Sequence, residues 1–347
     1  MGEHKSLRGA RVELMSVSER PRITVGIPVF NGARFLAEAI ESCLAQSWPP
    51  IEVIVVDDGS TDRTPEILES YRSRIVPRRQ SNQGAAAARN RILLEAGGEW
   101  IQYLDADDYL KPWKIERQWT ECSNRGADVI LSPLLEERWE GGRPLPIRQP
   151  EDEGDTDPIV RWLQRKNPQV AAGIWRKKSL MRIGGWNRSV RCATEDNELY
   201  MRALHAGLVF AWTPTAGAVY RADWSDESFC HRNHADLFQT ELSLLDKMTG
   251  WLQERKLWTA SRRKAAAQAY FQVLREIAKD HLAEAARLYR ERQKAGLVFP
   301  CGPKATPTYR TLFDLLGFEG AERACRAAAL FRPLEKRMRS LKRQWVG

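Results

Sequence analysis

The chain lacks any long apolar run: none in its 347 residues approaches the roughly 18–20 needed to span a bilayer. Met1 to Pro21 is polar and lacks the apolar centre of a signal peptide. The six cysteines (Cys43, Cys122, Cys192, Cys230, Cys301, Cys325) are scattered, with no C-x-x-C pair. That excludes a disulfide framework or a zinc site of neighbouring thiols, and fits reduced thiols in a cytoplasmic protein. Internal repeats are absent too. So is the mark of disorder, with 43% of residues hydrophobic and 29% charged; at 347 residues the chain can bury one large core, or one core plus a smaller helical appendage.

The formal net charge is +9, which calls for an anionic partner: phosphate, nucleic acid or a membrane surface. The excess is uneven. From Arg323 to Gly347 eight Lys/Arg stand against the single acid Glu335.

Short β-branched runs alternate with helical patterns. Arg22 to Val29 reads as a first strand, and Phe35 to Leu44 as a helix ended by Trp48-Pro49-Pro50. Ile51 to Val56 is a second strand, and a helix with Pro65 in its first turn follows. A short strand near Arg74 to Pro77 precedes an Ala-rich helix over Asn82 to Ala96, closed by Gly97-Gly98. Trp100 to Leu104 is the next strand. After the helix Trp113 to Asn124 and the strand Asp128 to Ser132, Glu136 to Asp157 reads as a loose excursion. Asp157 to Lys166 is helical, and Val170 to Trp175 returns to the sheet. Thr194 caps a helix running to His205, and Leu208 to Thr213 and Ala216 to Arg221 are final strands. Beyond about residue 230 only long helices follow, Leu237 to Leu252 and Ser261 to Lys294, with a break at Phe299 to Pro303 before the basic tail. The expected division is a polar extension over 1–21, an α/β domain over 22–230 and a helical region over 231–347.

Strands alternating with helices give a doubly wound, mainly parallel sheet, whose ligands bind outside the carboxyl ends of the strands. Three such ends carry polar or acidic clusters: Val29-Phe30-Asn31, Asp57-Asp58-Gly59-Ser60 and Asp105-Ala106-Asp107-Asp108. Crowded carboxylates repel unless a cation lies between them, and Mg²⁺ or Mn²⁺ takes one or two carboxylates plus water or phosphate. Asp58-Gly59-Ser60 also suits a helix-capping turn, and Asp108 suits a cap of the turn after it.

Val25 to Asn31, Ile54 to Asp62, Asn82-Gln83-Gly84 through Arg89-Asn90, Leu104 to Asp108, Gly184-Gly185-Trp186 and Glu195-Asp196 occur in an order that resembles the family-2 glycosyltransferases of the GT-A fold. The resemblance spans about Ile23 to Ser228. It implies metal-dependent inverting transfer of a sugar from a nucleotide-diphosphate sugar, UDP favoured, to an acceptor hydroxyl, in cell-surface polysaccharide or glycoconjugate synthesis. By that pattern Asp107 binds the divalent metal, and Asp105 shares the metal or lies nearer the ribose. Asp57, beside Asp58, would accept from the nucleobase; Pro28, Val29 and Asn31 would shape the floor beneath it; and Gly84 would allow close backbone approach. Arg89 would reach a phosphate or pair with a neighbouring acid. Asp196 would be the general base, with Glu195 orienting it or the acceptor.

One departure stands out. Relatives often carry Tyr-Arg-x-His-x-x-Ser after the last strand, and here Asp223 replaces the His that helps bind metal or diphosphate. Asp223 is a tentative metal ligand in its place, with His231 or His234 as alternatives. Among the 13 tryptophans, Trp113, Trp139, Trp175, Trp186 and Trp224 are candidates to stack on sugar rings, Trp186 and Trp224 foremost.

The acceptor would be a saccharide or a lipid-linked one. The basic tail would either lie on an anionic membrane, making a cytoplasmic protein peripheral at its inner face, or pack as a solvated helix. Nucleic acid is not an expected partner, because strand-end carboxylates oppose a phosphate backbone. The competing readings are a catalytically silent nucleotide-sugar-binding member and another nucleotide-diphosphate-using transferase. A nucleotidyltransferase would be expected to carry a Gly-rich phosphate loop where Pro28-Val29-Phe30-Asn31 stands.

Overall fold

The computed structural model describes residues 20–49, 51–122, 125–140, 143–149, 156–166, 169–190, 194–222, 234–298 and 305–344, with backbone alone at 234–236 and from 329 onward. In chain order the first elements are β1 (Ile23–Val29), α1 (Leu36–Leu44), β2 (Ile51–Asp57), α2 (Thr64–Ser70), β3 (Val76–Arg79), α3 (Ala85–Glu95), β4 (Trp100–Tyr103), β5 (Tyr109–Leu110) and α4 (Lys114–Cys122). Then come β6 (Val129–Leu131), β7 (Leu134–Glu140), β8 (Arg143–Pro144), α5 (Pro158–Leu163), β9 (Ile174–Arg176), α6 (Lys177–Arg182), α7 (Glu195–His205), β10 (Phe210–Trp212) and β11 (Ala218–Ala222). The last are α8 (His234–Glu254), α9 (Ala260–Asp280), α10 (Leu282–Lys294) and α11 (Pro307–Gln344).

The chain divides into two compact units. The first comprises Met1–Asp152, Val170–Gly185 and Val209–Ala222; the second comprises Glu153–Gln169, Trp186–Leu208 and Asp223–Gly347. The expected change of character near residue 230 lies outside the described residues.

In the first unit seven strands form a sheet in the order β10-β6-β9-β4-β1-β2-β3. Neighbours run parallel except β9, which is antiparallel to both β4 and β6. All seven residues of β1 are buried, as a central strand covered on both faces requires. Val25, Ile27, Val53 and Val55 pack with Leu36, Ile40 and Cys43 of α1 in one apolar core. Burial pushes the Cys43 thiol up to about 12, so it acts as an inert core residue. Cys43, Cys122 and Cys325 form no disulfide, and the other three cysteines lie outside the described residues.

The segment before β9 leaves carbonyls outside any ladder, and two buried glutamines satisfy them. Gln102 Nε2 donates to the Ala171 carbonyl at 2.9 Å, and Gln118 Nε2 donates to that of Ala172 at 2.8 Å. Gln102 in turn accepts from Lys114, whose amine burial holds well below the ordinary lysine range.

A second sheet, β5-β11-β7-β8, replaces much of the expected loose excursion. β7 runs parallel to β11 over Leu134 to Arg138, and Glu136 and Arg148 exchange backbone hydrogen bonds at 2.8 and 3.0 Å. Its polar residues pair with one another: Glu136 holds both Arg138 and Arg148. That ordered polar surface reads as a loop in sequence.

The second unit is helical. α9 is its centre, burying Ala266, Tyr270, Phe271, Val273 and Leu274 against α5, α8, α10 and α11. Its continuation into α10, expected as one helix, breaks at His281 (φ −124°, ψ 63°) with no glycine or proline to signal it. Asp157 caps α5 through Ile159 N–H at 2.9 Å and pairs with Arg262 Nε at 2.7 Å. Thr194 occupies the N-cap of α7, but its side chain makes no capping hydrogen bond. Among the described residues no helix is long and apolar enough to cross a membrane.

The tightest approach in the main sheet is at Gly26, where a Cβ would lie 2.3 Å from Ile92 Cγ2 of α3. Gly26→Ala is expected to force α3 off the sheet and lower stability by about 1–3 kcal/mol, measured by urea denaturation. An unchanged midpoint would show that α3 has slack there.

Candidate functional site

The parallel register aligns the strand ends of the first unit. Val29 stands opposite Asp57, and the Leu104 N–H donates to the Gly26 carbonyl at 3.0 Å. The three polar clusters therefore emerge on one edge of the sheet. Pro28 is buried opposite Val56. Its missing N–H falls on the β4 side, just beyond the point where β4 leaves the ladder, so the sheet loses no hydrogen bond there.

The end of β1 is stitched to the end of β2. The Val29 carbonyl accepts from Asp58 N–H at 2.8 Å. Asn31 takes a left-handed conformation (φ 51°); its N–H donates to Ser60 Oγ at 2.9 Å, and its Oδ1 accepts from Thr61 N–H at 2.8 Å. The two acids of β2 have different work. Asp58 is saturated, accepting from Gln80 Nε2 (2.8 Å), Gln83 N–H (3.0 Å) and Gly84 N–H (2.7 Å), and so fixes the approach to α3. Asp57 accepts from Ser60 N–H at 2.8 Å through Oδ1. Arg79 Nη1 lies 3.0 Å from Oδ2, but not along a hydrogen-bond direction, which leaves Oδ2 a buried acceptor without a donor. Gly84 has φ 90° and nothing within 4 Å of where a Cβ would stand, so the backbone before α3 is open to close approach.

At the end of β4, Asp105 accepts from Arg89 Nη2 at 2.7 Å, and Tyr103 Oη donates to the Arg89 carbonyl at 3.2 Å. Arg89 thus pairs with the neighbouring acid. Asp107 is exposed, while Asp108 is 1% exposed. Asp108 does more than cap a turn: its Oδ1 accepts from Arg221 N–H on β11 at 2.9 Å. Burial, then the charges of Asp107 and Asp105, push its carboxyl well above the ordinary carboxylate range.

Arg221 is the residue that sequence reasoning passed over. Its Nη1 donates to the Asp107 carbonyl (3.1 Å), Nε to Glu137 Oε2 (2.9 Å), and Nη2 lies 2.6 Å from Glu38 Oε2. Its guanidinium also lies 4.6 Å from the ring centroids of Phe35 and Tyr109. It ties α1, the acid loop, β7 and β11 together. The only sequence signal was the Tyr220-Arg221 pair, read for the residue two positions on.

Asp223, the tentative metal ligand, lies outside the described residues, as do His231 and Trp224; for His234 only the backbone is described. Among the described residues no group of three or more His, Cys, Asp or Glu is arranged to hold a metal. Asp105 and Asp107 offer two hard oxygen donors, which fits an ion that takes its other ligands from diphosphate and water. Of the stacking candidates, Trp175 and Trp186 are buried, 1% and 2% exposed, and present no face to a sugar. Trp113 is exposed, and Trp139 packs edge-on to Phe35 at 5.8 Å.

Glu195 and Asp196 belong to the second unit. They open α7 and are half-buried, in a first turn where the helix dipole stabilises negative charge. Glu198, the third acid of that turn, is held at 2.8 Å by both Arg202 Nε and Nη2. Burial, and after it the Asp196 charge, raise the Tyr200 phenol, with Arg161 opposing.

The sheet order, with acids at the strand ends, is that of a GT-A-type α/β fold. The model of glycosyl transferase family 2 matches residues 24–205, just over half of the chain, and the chain belongs to that family. It is 37% identical over 113 residues to the glycosyltransferase GlyG of Streptococcus pneumoniae, covering 31% of this chain and 38% of that protein. The putative glycosyltransferase EpsH of Bacillus subtilis is 25% identical over 256 residues, 68% of this chain and 70% of EpsH. The first curated relatives are matched over only 31–41% of their own length. Among solved structures, residues 1–349 of Staphylococcus aureus TarS in complex with UDP-GlcNAc share the fold. The TM-score is 0.57 at 20% identity, over 75% of this chain and 73% of that one. A mannosyltransferase of Pyrobaculum calidifontis, in complex with GDP-Man and Mn²⁺, gives 0.50 at 17% identity, over 89% and 87%.

Glu137 offers a pH test of the Arg221 hub. Burial raises its carboxyl, but bonds from Arg221, Trp139 and Tyr109 together outweigh this and hold it below the ordinary glutamate value. A depressed folded value means that stability is fully present above the unfolded value, about 4.3, and lost as pH falls through the folded one. Melts from neutral to acid pH should show the wild type losing more stability than Glu137→Gln. Parallel curves would mean that the hub does not depend on this charge.

Proposed function

We propose that this chain transfers a sugar from a nucleotide-diphosphate sugar, a UDP-sugar by preference, to a hydroxyl of a saccharide or lipid-linked acceptor, with inversion at the anomeric carbon. The observation that carries the reading is the convergence of Asp57, Asp105 and Asp107 on one edge of the main sheet, beside the open backbone at Gly84. Membership of family 2 supports it, as do the donors in the structures that share the fold, UDP-GlcNAc with TarS and GDP-Man with the mannosyltransferase.

In this reading the donorless Oδ2 of Asp57 accepts from the nucleobase N–H. Arg79, whose side chain is 55% exposed, swings aside to admit it. Val29, Asn31 and Pro28 form the floor through backbone, and the Gly84 backbone lets the donor approach closely. Asp107, with Asp105 beside it, would hold Mn²⁺ or Mg²⁺, which when bound neutralises charge on the diphosphate leaving group. Arg89 sets the orientation of Asp105. Asp196 accepts the proton of the acceptor hydroxyl as the new glycosidic bond forms and the bond from C1 to the phosphate oxygen breaks. Glu195 orients it. Synthesis of a cell-surface polysaccharide or glycoconjugate is the role that suits such an activity.

A melting-temperature titration tests donor binding. UDP with Mn²⁺ is expected to raise the wild-type transition, and Asp107→Ala to abolish the metal-dependent part. No shift with UDP, GDP or dTDP would overturn the reading.

The base is tested separately. Asp196→Asn should keep the donor-induced shift while transfer falls by about 10²–10⁴-fold, the usual contribution of a general base. Full activity in that variant would remove Asp196 from the role.

A further inference from the structure

Two leucines of the second unit are held in solvent by the core itself. α11 begins by packing inward: Tyr309 is buried, its Oη donates to Glu322 at 2.6 Å, and Phe313 lies edge-on to Phe271 at 5.4 Å. The helix breaks at Gly317 (φ 66°, ψ −175°), and Phe318 returns to the core, stacked on Tyr289 at 4.6 Å. Between these aromatic anchors Leu315 and Leu316 are 75% and 55% exposed. A single exposed leucine is ordinary. An adjacent pair, fixed by an anchor two residues away on either side, is a presented surface.

Further along the chain the sequence spaces Phe331, Leu334, Met338 and Leu341 three and four residues apart, the period of an amphipathic helix. Lys336, Arg337, Arg339, Lys342 and Arg343 fall between them, and Glu335 is the only acid from Arg323 to Gly347. A basic helix with an apolar stripe suits the headgroup region of an anionic bilayer, where the stripe is buried and the cations meet lipid charge. The same spacing could serve a helical partner, but it extends over about two heptads, short of the three or four that a coiled coil needs.

We propose that the leucine pair and the basic amphipathic part of α11 dock the protein on an anionic lipid surface, with Leu315 and Leu316 entering the interface as a fixed apolar wedge. The surface is independent of sugar transfer, and its test reads lipid binding alone.

The full chain is sedimented with vesicles of phosphatidylcholine alone or with added phosphatidylglycerol. It should co-sediment with the anionic vesicles and not with the neutral ones, and be released by salt as surface charges are screened. Leu315→Ser with Leu316→Ser should weaken binding by about tenfold or more, the loss expected for two leucine side chains that no longer enter the interface. Both positions are exposed, so the melting temperature should not fall, and that is measured alongside. Equal recovery with both vesicle types, or unchanged binding by the double variant, would overturn the proposal. So would a concentration-dependent dimer that the double variant dissolves while neither protein binds lipid.

Discussion

The first unit is organised around one electrostatic constraint: several carboxylates must stand together at the carboxyl edge of a parallel sheet. Two unit charges about 6 Å apart repel by about 3 kcal/mol at an effective dielectric near 20, so a handful of them could not be held without compensation. Each has its own. Asp57 has Arg79, Asp58 has the backbone N–H groups before α3, Asp105 has Arg89, and Asp108 has the N–H of Arg221. These partners arrive from β3, α3 and β11, so the folding of three separate elements is what makes the acidic edge tolerable. Asp107, exposed at the tip of the acid loop, is the carboxylate best placed to meet a cation brought by a ligand.

Arg221 explains why a second small sheet exists at all. β5 follows directly from the acid loop, β11 pairs with it, and β7 pairs with the far side of β11. Through its N–H, its guanidinium and the rings of Phe35 and Tyr109, Arg221 turns that sheet into a brace for Asp107 and Asp108. A buried arginine with two carboxylates and a carbonyl is stabilising only as a complete set, since removing one partner leaves a desolvated charge. The loop is therefore either held in one geometry or destabilised as a whole.

The main strands were legible because buried parallel strands read as continuous apolar runs, and their ends were legible because those runs stop at acids. The family order of the motifs was equally plain. The inserted strand β9 was less so: it is three residues long, and the segment leading into it is held by Gln102 and Gln118, which satisfy carbonyls 69 and 54 positions away. β7 and β8 were missed because they are rich in charged residues, with no apolar alternation to mark a strand. No local pattern separates the buried Trp175 and Trp186 from exposed Trp113. Arg221 was invisible for the same reason, since Asp107 and Glu137 lie 114 and 84 residues from it.

The central claim is that the acidic edge of the sheet binds a nucleotide-diphosphate sugar for transfer. Its most direct measurement is a panel of UDP-, GDP- and dTDP-sugars incubated with the protein and Mn²⁺, with release of nucleoside diphosphate as the readout. The account predicts metal-dependent release from at least one donor, UDP-sugars first, in the wild type and not in Asp107→Ala. Release that is indifferent to metal and to Asp107, or none from any donor, would contradict it.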